Sequence, residues 1–425
     1  MTANTTRIFK MLASEQIIYQ SPDPAGVYCY SPALLQTPTG RLIATCDLGG
    51  PGVKNLPGNK SAKGDDPAGN QGKIFISDDN GQSWTHVHDF PMLHARPFSA
   101  GDRIYILGHS GPMGICVSHD DGNTWSDVVN LDEEHMWHQA PCAYDVQDNQ
   151  IYICMEIRLP KHGWPGVQPV VMRANLDDDL TQRENWTFSN PLDYDTLLEV
   201  HQPIGTPVFP EGEVAPTRWY SNAGWLETHI VRIRDPRHRL HDPEGKTVHL
   251  WMRLASGMTN ICAIAQCREL KDGSLKTELI TTPGNSALTY VALPGGQMKF
   301  HLLFDDVTQT WWHLSSQATD SMVKPELMAK DRYGMPDNER HRLQLHYSTN
   351  LFDWIPVGMV AVGKTQLHSR HYANMIVSGD ELLILSRSGD ERAASAHNGN
   401  LLTFHRVKNF RDLIDESILQ SPAYA

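Results

Sequence analysis

Side chains able to move protons or hold an anion stand where short apolar stretches of this 425-residue chain begin and end. At the beginnings are Tyr30, His94 with Arg96, His138 with Gln139, Glu227, and the run Arg370-His371-Tyr372. At the ends are Asp47, His109, Glu156, Arg253 and Arg387. Two reactions on sugars call for such a set. Hydrolysis of a glycosidic bond needs an acid beside the glycosidic oxygen and a nucleophile or base opposite, usually two carboxylates. Asp47, Glu156 and Glu227 are the carboxylates best placed. β-Elimination from a uronate needs cations on its carboxylate, a base for the C5 proton and an acid for the departing oxygen. His94, His138, His371, Tyr372, Arg96, Arg370 and Arg387 are of those types. Catalytic roles are therefore expected of His138, Glu227, His371, Tyr372 and Asp47. Substrate-binding roles are expected of Tyr30, His94, Arg96, Gln139, Arg253, Arg370 and Arg387.

Each candidate also has a plainer reading. His138, ahead of Ala140-Pro141, can cap a strand, and His371-Tyr372 can pack on a neighbouring element. Glu227 and His229 lie in the alternating strand Leu226-Glu227-Thr228-His229-Ile230, so either can face solvent. Asp47 precedes Leu48-Gly49-Gly50-Pro51-Gly52 and can serve a turn. Arg387 ends a strongly apolar strand, where a charge needs a partner. His135-x-x-His138 and His368-x-x-His371 have short spacings, but neither lies on a helical pattern with a third ligand. No metal and no other cofactor is expected.

What must position these residues is a set of strands and turns. Ser77-Asp78-Asp79-Asn80-Gly81-Gln82-Ser83-Trp84 and Ser118-His119-Asp120-Asp121-Gly122-Asn123-Thr124-Trp125 both read Ser-x-Asp-x-Gly-x-(Ser/Thr)-Trp, with first serines 41 residues apart. Each follows a short apolar strand, Lys73–Ile76 and Gly114–Val117. A turn explains every fixed position: Asp accepts from nearby backbone N–H groups, Gly supplies a positive φ, and Trp starts the next strand. Asn185-Trp186 and Tyr347–Trp354 are worn copies. Strand pairs recur at roughly 40–70-residue spacing, giving six units. Gln16–Tyr19 is a strand free to join the last unit, residues 49–72 form a polar loop suited to a lid, and Phe410 to Leu419 is the one helical stretch.

The two eight-residue matches resemble the Asp box, the repeated turn of sialidase-like β-propellers. The resemblance implies an all-β, six-bladed β-propeller, one domain over residues 1–425, with the N-terminal strand closing the ring and a short C-terminal helix. It implies that the box aspartates are structural and that the site lies at one mouth of the central channel. Tyr30-Ser31-Pro32-Ala33-Leu34-Leu35 resembles the opening strand of sialidases, where an Arg-Ile-Pro tripeptide carries the first arginine of a carboxylate-binding triad. Tyr30 takes that arginine's place, a departure from sialic-acid recognition. Sialidase-like enzymes can use tyrosine as nucleophile, a role open to Tyr372 or Tyr30 beside a carboxylate that takes the proton. The implied function is glycoside hydrolysis on an oligosaccharide with an acidic or deoxy sugar. Elimination on a uronate is the alternative, and a non-catalytic glycan-binding propeller the second.

Composition narrows the partners. A net charge of −13 argues against nucleic acid or an anionic membrane as the main partner. No apolar run reaches the length of a signal peptide or a membrane span. Seven cysteines, with no C-x-x-C pair, fit a reducing cytoplasm, although a trimmed secretion signal would leave the same sequence. A homo-oligomer stays open.

Overall fold

Many of the described strands are buried on both faces, and the architecture explains why. In the computed structural model, which describes residues 11–63, 66–159, 164–195, 212–215, 218–220, 223–282, 284, 286–329 and 336–415, six antiparallel sheets stand around a central channel as the blades of a β-propeller. Each blade is sandwiched between two others, so Leu42–Gly49 and Gly224–Val231 are buried along their whole lengths. Apolar layers fill every blade-to-blade gap. Ile43 and Ile74 meet Ile104 and Ile106; Leu107 and Ile115 meet Ile153 and Met172. Val171 meets Leu250, Trp251 meets Phe300, Leu345 meets Ile384, and Leu385 meets Leu34.

The innermost strands are Ala33–Gln36, Leu93–Ala100, Trp137–His138 continued by Asp145–Gln147, Gly224–Val231, His301–Asp305 and Arg370–Ser378. Each pairs with the strand that follows it, so first strands begin and second strands end at the same mouth of the channel. Ser14–Gln20 closes the ring as the outer strand of blade six, paired with Leu401–Lys408. All seven cysteines are buried and free. Among the described residues, no helix is long and apolar enough to cross a membrane.

The two repeated turns join the third and fourth strands of blades one and two. Asp79 Oδ1 accepts from the amides of Gln82 (2.9 Å) and Ser83 (2.8 Å), and Asp120 Oδ1 from the amide of Thr124 (2.8 Å). Gly81 and Gly122 have φ of 83° and 84°. A Cβ there would come within 2.7 Å of Phe404 in blade six and Ile43 in blade one. Each glycine thus lets a turn seat against the preceding blade. In the worn copy, Asn350 Oδ1 accepts from the amides of Phe352 and Asp353 as an aspartate would.

Two expectations need correction. The stretch 49–72 is not a structureless loop: Val53–Asn55 form a 3-10 turn and Ser61–Lys63 pair with Asp66–Ser77. Backbone pairing at a sheet edge leaves no apolar period to read. At the C-terminus, Phe410–Leu413 form a single 3-10 turn that ends where Ile414 becomes extended, and residues 416–419 lie outside the described residues. Phe410 is fully buried between blades five and six, so tertiary packing holds this short turn.

Candidate functional site

The inner strands of blades two, four and six share one irregularity. Pairing slips between Leu93 and Arg96, between Leu226 and His229, and between His371 and Asn374. At each slip one non-glycine residue is left-handed: His94 (φ 53°), Glu227 (φ 56°) and Tyr372 (φ 52°). Such a backbone costs about 1–3 kcal/mol per residue and persists only where surrounding structure enforces it. The enforcing contacts follow two residues later. Arg96 donates to the Ala140 carbonyl (3.0 Å), His229 Nδ1 accepts from the Ala143 amide (3.0 Å), and Asn374 Oδ1 accepts from the Leu34 amide (3.1 Å). Each bulge is thus pinned to another blade, and three side chains are raised at the mouth.

Two of them meet. The Tyr372 hydroxyl donates to Glu227 Oε1. Arg253 Nη1 lies 3.2 Å from Glu227 Oε2 and 2.8 Å from the Tyr372 hydroxyl, while Arg253 Nε donates to the Gln297 carbonyl. Burial, joined by the neighbouring Glu227 charge, pushes the Tyr372 hydroxyl above its ordinary pKa, so the phenol keeps its proton and aims it at the carboxylate. Burial alone would lower Arg253, but Tyr372 and Glu227 more than reverse it. Two further guanidinium groups face the Tyr372 ring, Arg387 at 5.2 Å and Arg340 at 5.5 Å. Arg387 also lies 4.1 Å over Tyr30, whose hydroxyl donates to Asn398 (2.9 Å). Lys299, buried and lowered by that burial to about 8, donates to the carbonyl of Ala373.

The third raised side chain, His94, belongs to a second cluster. Its ring lies 5.2 Å from His109 and 5.3 Å from His138, and Asp47 Oδ1 accepts from its amide (3.1 Å). His138 Nδ1 is 2.7 Å from Glu156 Oε2, and Glu156 Oε1 accepts from the amide (3.0 Å) and hydroxyl (3.1 Å) of Thr228. Thr228 follows Glu227, so hydrogen bonds on either side of one peptide link join the two clusters. Among the described residues, no group of three or more His, Cys, Asp and Glu has the arrangement of a metal site.

Of the sequence candidates, Tyr30, Asp47, His94, His138, Glu227, Tyr372, Arg253 and Arg387 fall in these two clusters. Four others make contacts with the scaffold. Arg370 points to the rim, where it holds Glu15 of the closing strand at 2.8 and 2.7 Å. Arg96 uses Nη2 for its blade contact, with Nε and Nη1 buried and unbonded, and Gln139 donates to the carbonyls of His94 and Leu107. His371 is fully buried, and its Nδ1 accepts from Arg340 Nη1 (2.9 Å). Burial, then Arg340, holds its pKa far below the ordinary histidine range, so the ring stays neutral and its Nδ1 orients a guanidinium. Arg340 is the residue that sequence reasoning missed. It lies in the charged run Glu339-Arg340-His341-Arg342 ahead of a third strand, where charge ordinarily signals a solvated loop.

No protein-family model and no curated protein matches the sequence. Solved structures do match. Trypanosoma rangeli sialidase, in complex with 2,3-difluorosialic acid as a covalent intermediate, superposes with a TM-score of 0.55 at 11% identity over 97% of this chain and 61% of that one. Hadza microbial sialidase Hz136 matches with a TM-score of 0.55 at 12% identity, over 93% of this chain and 69% of that one. A protein of unknown function from Dyadobacter fermentans matches with a TM-score of 0.53 at 10% identity, over 93% and 99%. The chain spans about 60% of the length of the trypanosomal enzyme. At such identities the likeness is one of fold: the chain is a sialidase-like six-bladed β-propeller.

Proposed function

We propose that this propeller hydrolyses a glycosidic bond of an acidic sugar, with Tyr372 as nucleophile and Glu227 as the base that receives its proton. The observation that carries the reading is the Tyr372 hydroxyl aimed at Glu227 while Arg253 bonds both. A phenol is a poor nucleophile until a carboxylate takes its proton, and this carboxylate is already in contact. Use of tyrosine in this role is the known exception among glycosidases with paired carboxylates. The guanidinium groups of Arg253, Arg340 and Arg387 make the surroundings cationic, which favours a sugar carboxylate over a neutral deoxy sugar. Tyr30, where sialidases carry an arginine, fits a carboxylate held differently from that of sialic acid. The partner is an oligosaccharide; no nucleic acid, membrane or cofactor enters the reading.

Aryl glycosides of several acidic sugars test it. Wild-type protein releases phenol from at least one of them, and Tyr372→Phe lowers kcat/KM by about 10³-fold or more. A glycosyl fluoride of that acidic sugar, with a second fluorine on the carbon next to the anomeric one, leaves a mass adduct on Tyr372. Full activity in Tyr372→Phe overturns the reading. Elimination on a uronate is favoured by one observation, the His138–Glu156 pair, which could act as base. It would give an ultraviolet-absorbing unsaturated product and no adduct.

A further inference from the structure

Hydrolysis through Tyr372 leaves one proton unassigned, the one that the departing oxygen must receive. Asp47 is the obvious carboxylate, but it is fully covered, and its Oδ1 is committed to the amide of the strained residue His94. That contact makes Asp47 a support for the bulge in blade two.

We infer that His138 is the acid and base of the leaving-group side, positioned by Glu156 and Thr228; this rests on the hydrolytic reading above. Three observations lead there. The first is the tautomer. Glu156 Oε1 is occupied by the amide and hydroxyl of Thr228, so Oε2 is free to accept from His138 Nδ1–H at 2.7 Å. The hydrogen therefore sits on Nδ1, and Nε2 is the nitrogen that exchanges a proton with substrate. The second is connectivity. Thr228 is the residue after Glu227, so the group that holds the imidazole is set by the same bulge that sets the base of the nucleophile. The third is what stands beside the ring. Trp164 meets His138 edge to face at 5.2 Å and is 46% exposed, an open aromatic surface against which the departing sugar can lie. The His138 ring otherwise faces His94 and His109 from blade two and Glu156 from its own blade, with Arg158 lying 5.5 Å over Trp164.

The step balances. The Tyr372 oxygen bonds to the anomeric carbon while its proton passes to Glu227. The bond from that carbon to the aglycone oxygen breaks, its electron pair stays on oxygen, and the oxygen takes the Nε2 proton of the His138 imidazolium. Water then attacks the anomeric carbon, gives a proton to His138 Nε2, and displaces Tyr372, which recovers its proton from Glu227. One water and one glycoside become a free sugar and an alcohol.

The experiment compares kcat/KM for two glycosides of the same acidic sugar, one with nitrophenol and one with an alkyl alcohol as leaving group. Nitrophenol departs without a proton. His138→Asn should therefore lower the alkyl value by on the order of 10²–10⁴-fold and the nitrophenyl value far less. Added azide should restore turnover of the nitrophenyl glycoside in His138→Ala. Asp47→Asn should lower both substrates alike. Glu156→Gln should lower the alkyl value more than the nitrophenyl value, because the acceptor that fixes the His138 tautomer is lost; a merely structural role would lower both alike. Variants are compared at unchanged melting temperature, with His138→Gln as the second variant should His138→Asn unfold. Equal losses on both glycosides in the His138 variants, or selective loss in Asp47→Asn, overturn the inference while leaving Tyr372 in place. Activity that survives Tyr372→Phe removes the reading beneath it.

Discussion

Mild acid should unfold this propeller at a pH where its carboxylates are still ionised. His249, His313, His346 and His405 are buried in the second and third strands of blades four to six. Burial pushes them from 6.5 down to about 4, 3, 4 and 4, the His346 charge adding to the effect on His313. A histidine lowered in the folded state binds its proton more readily once unfolded. Its stabilising contribution is therefore complete above 6.5 and falls away as pH drops from there toward 4. One unit below 6.5, each of the four costs roughly 1.4 kcal/mol, together roughly 6 kcal/mol. A typical domain has only about 5–15 kcal/mol in total. Proton uptake reads the effect without assuming a two-state transition. Unfolding by urea in weakly buffered solution at pH ~5.5 should take up about 3.5 protons from these four residues, and His229, His301 and His371, held lower still by burial, add to that. His405→Gln should remove about 0.9 of a proton. Uptake below about one proton, or a melting temperature flat from neutral pH to that point, would refute the reasoning.

Two further expectations concern the scaffold. Gly81→Ala should lower stability by about 1–3 kcal/mol, because the new Cβ meets Phe404 at 2.7 Å on a backbone with φ of 83°; denaturant titration checks it, and kcat of the surviving folded protein should be unchanged. At position 94, Asn should be tolerated as well as His, whereas Val should cost about 2 kcal/mol more, because left-handed backbone suits Asn and penalises β-branched residues; equal stability of the two variants would show that the bulge is not strained.

Much of the fold was legible because its signals are local. The serine, aspartate, glycine and hydroxyl of each turn bond within five residues of one another, so their spacing survives in the sequence. Gln16–Tyr19 could be assigned to ring closure because it is a strand with no hairpin partner of its own. The site was only half legible. Reading polar residues at strand starts picked out His94, His138, Glu227 and Tyr372, which gather at one mouth because a propeller brings those starts together. It also collected Arg96 and Gln139, because a side chain that satisfies a buried backbone carbonyl looks, in sequence, like one that meets a substrate. Arg370 was misplaced by adjacency: it neighbours His371 and Tyr372, yet its guanidinium reaches Glu15, 355 positions away.

The deeper obstacle was the assumption of a regular strand. In Leu226-Glu227-Thr228-His229-Ile230, strict alternation puts Glu227 and His229 on one face and Thr228 on the other, which leaves a choice between facing the channel and facing solvent. The bulge removes that choice. With Glu227 left-handed, Glu227 reaches Tyr372, Thr228 reaches Glu156 and His229 reaches the Ala143 amide, so three consecutive residues all meet partners inside the ring. A strand of period two cannot do this, and nothing in the five residues marks the break, since none is glycine. The same device in blades two and six raises His94 and Tyr372. The placement of His94, Glu227 and Tyr372 therefore depends on three backbone distortions, each held by a buried polar side chain that no alternation pattern would assign to that task.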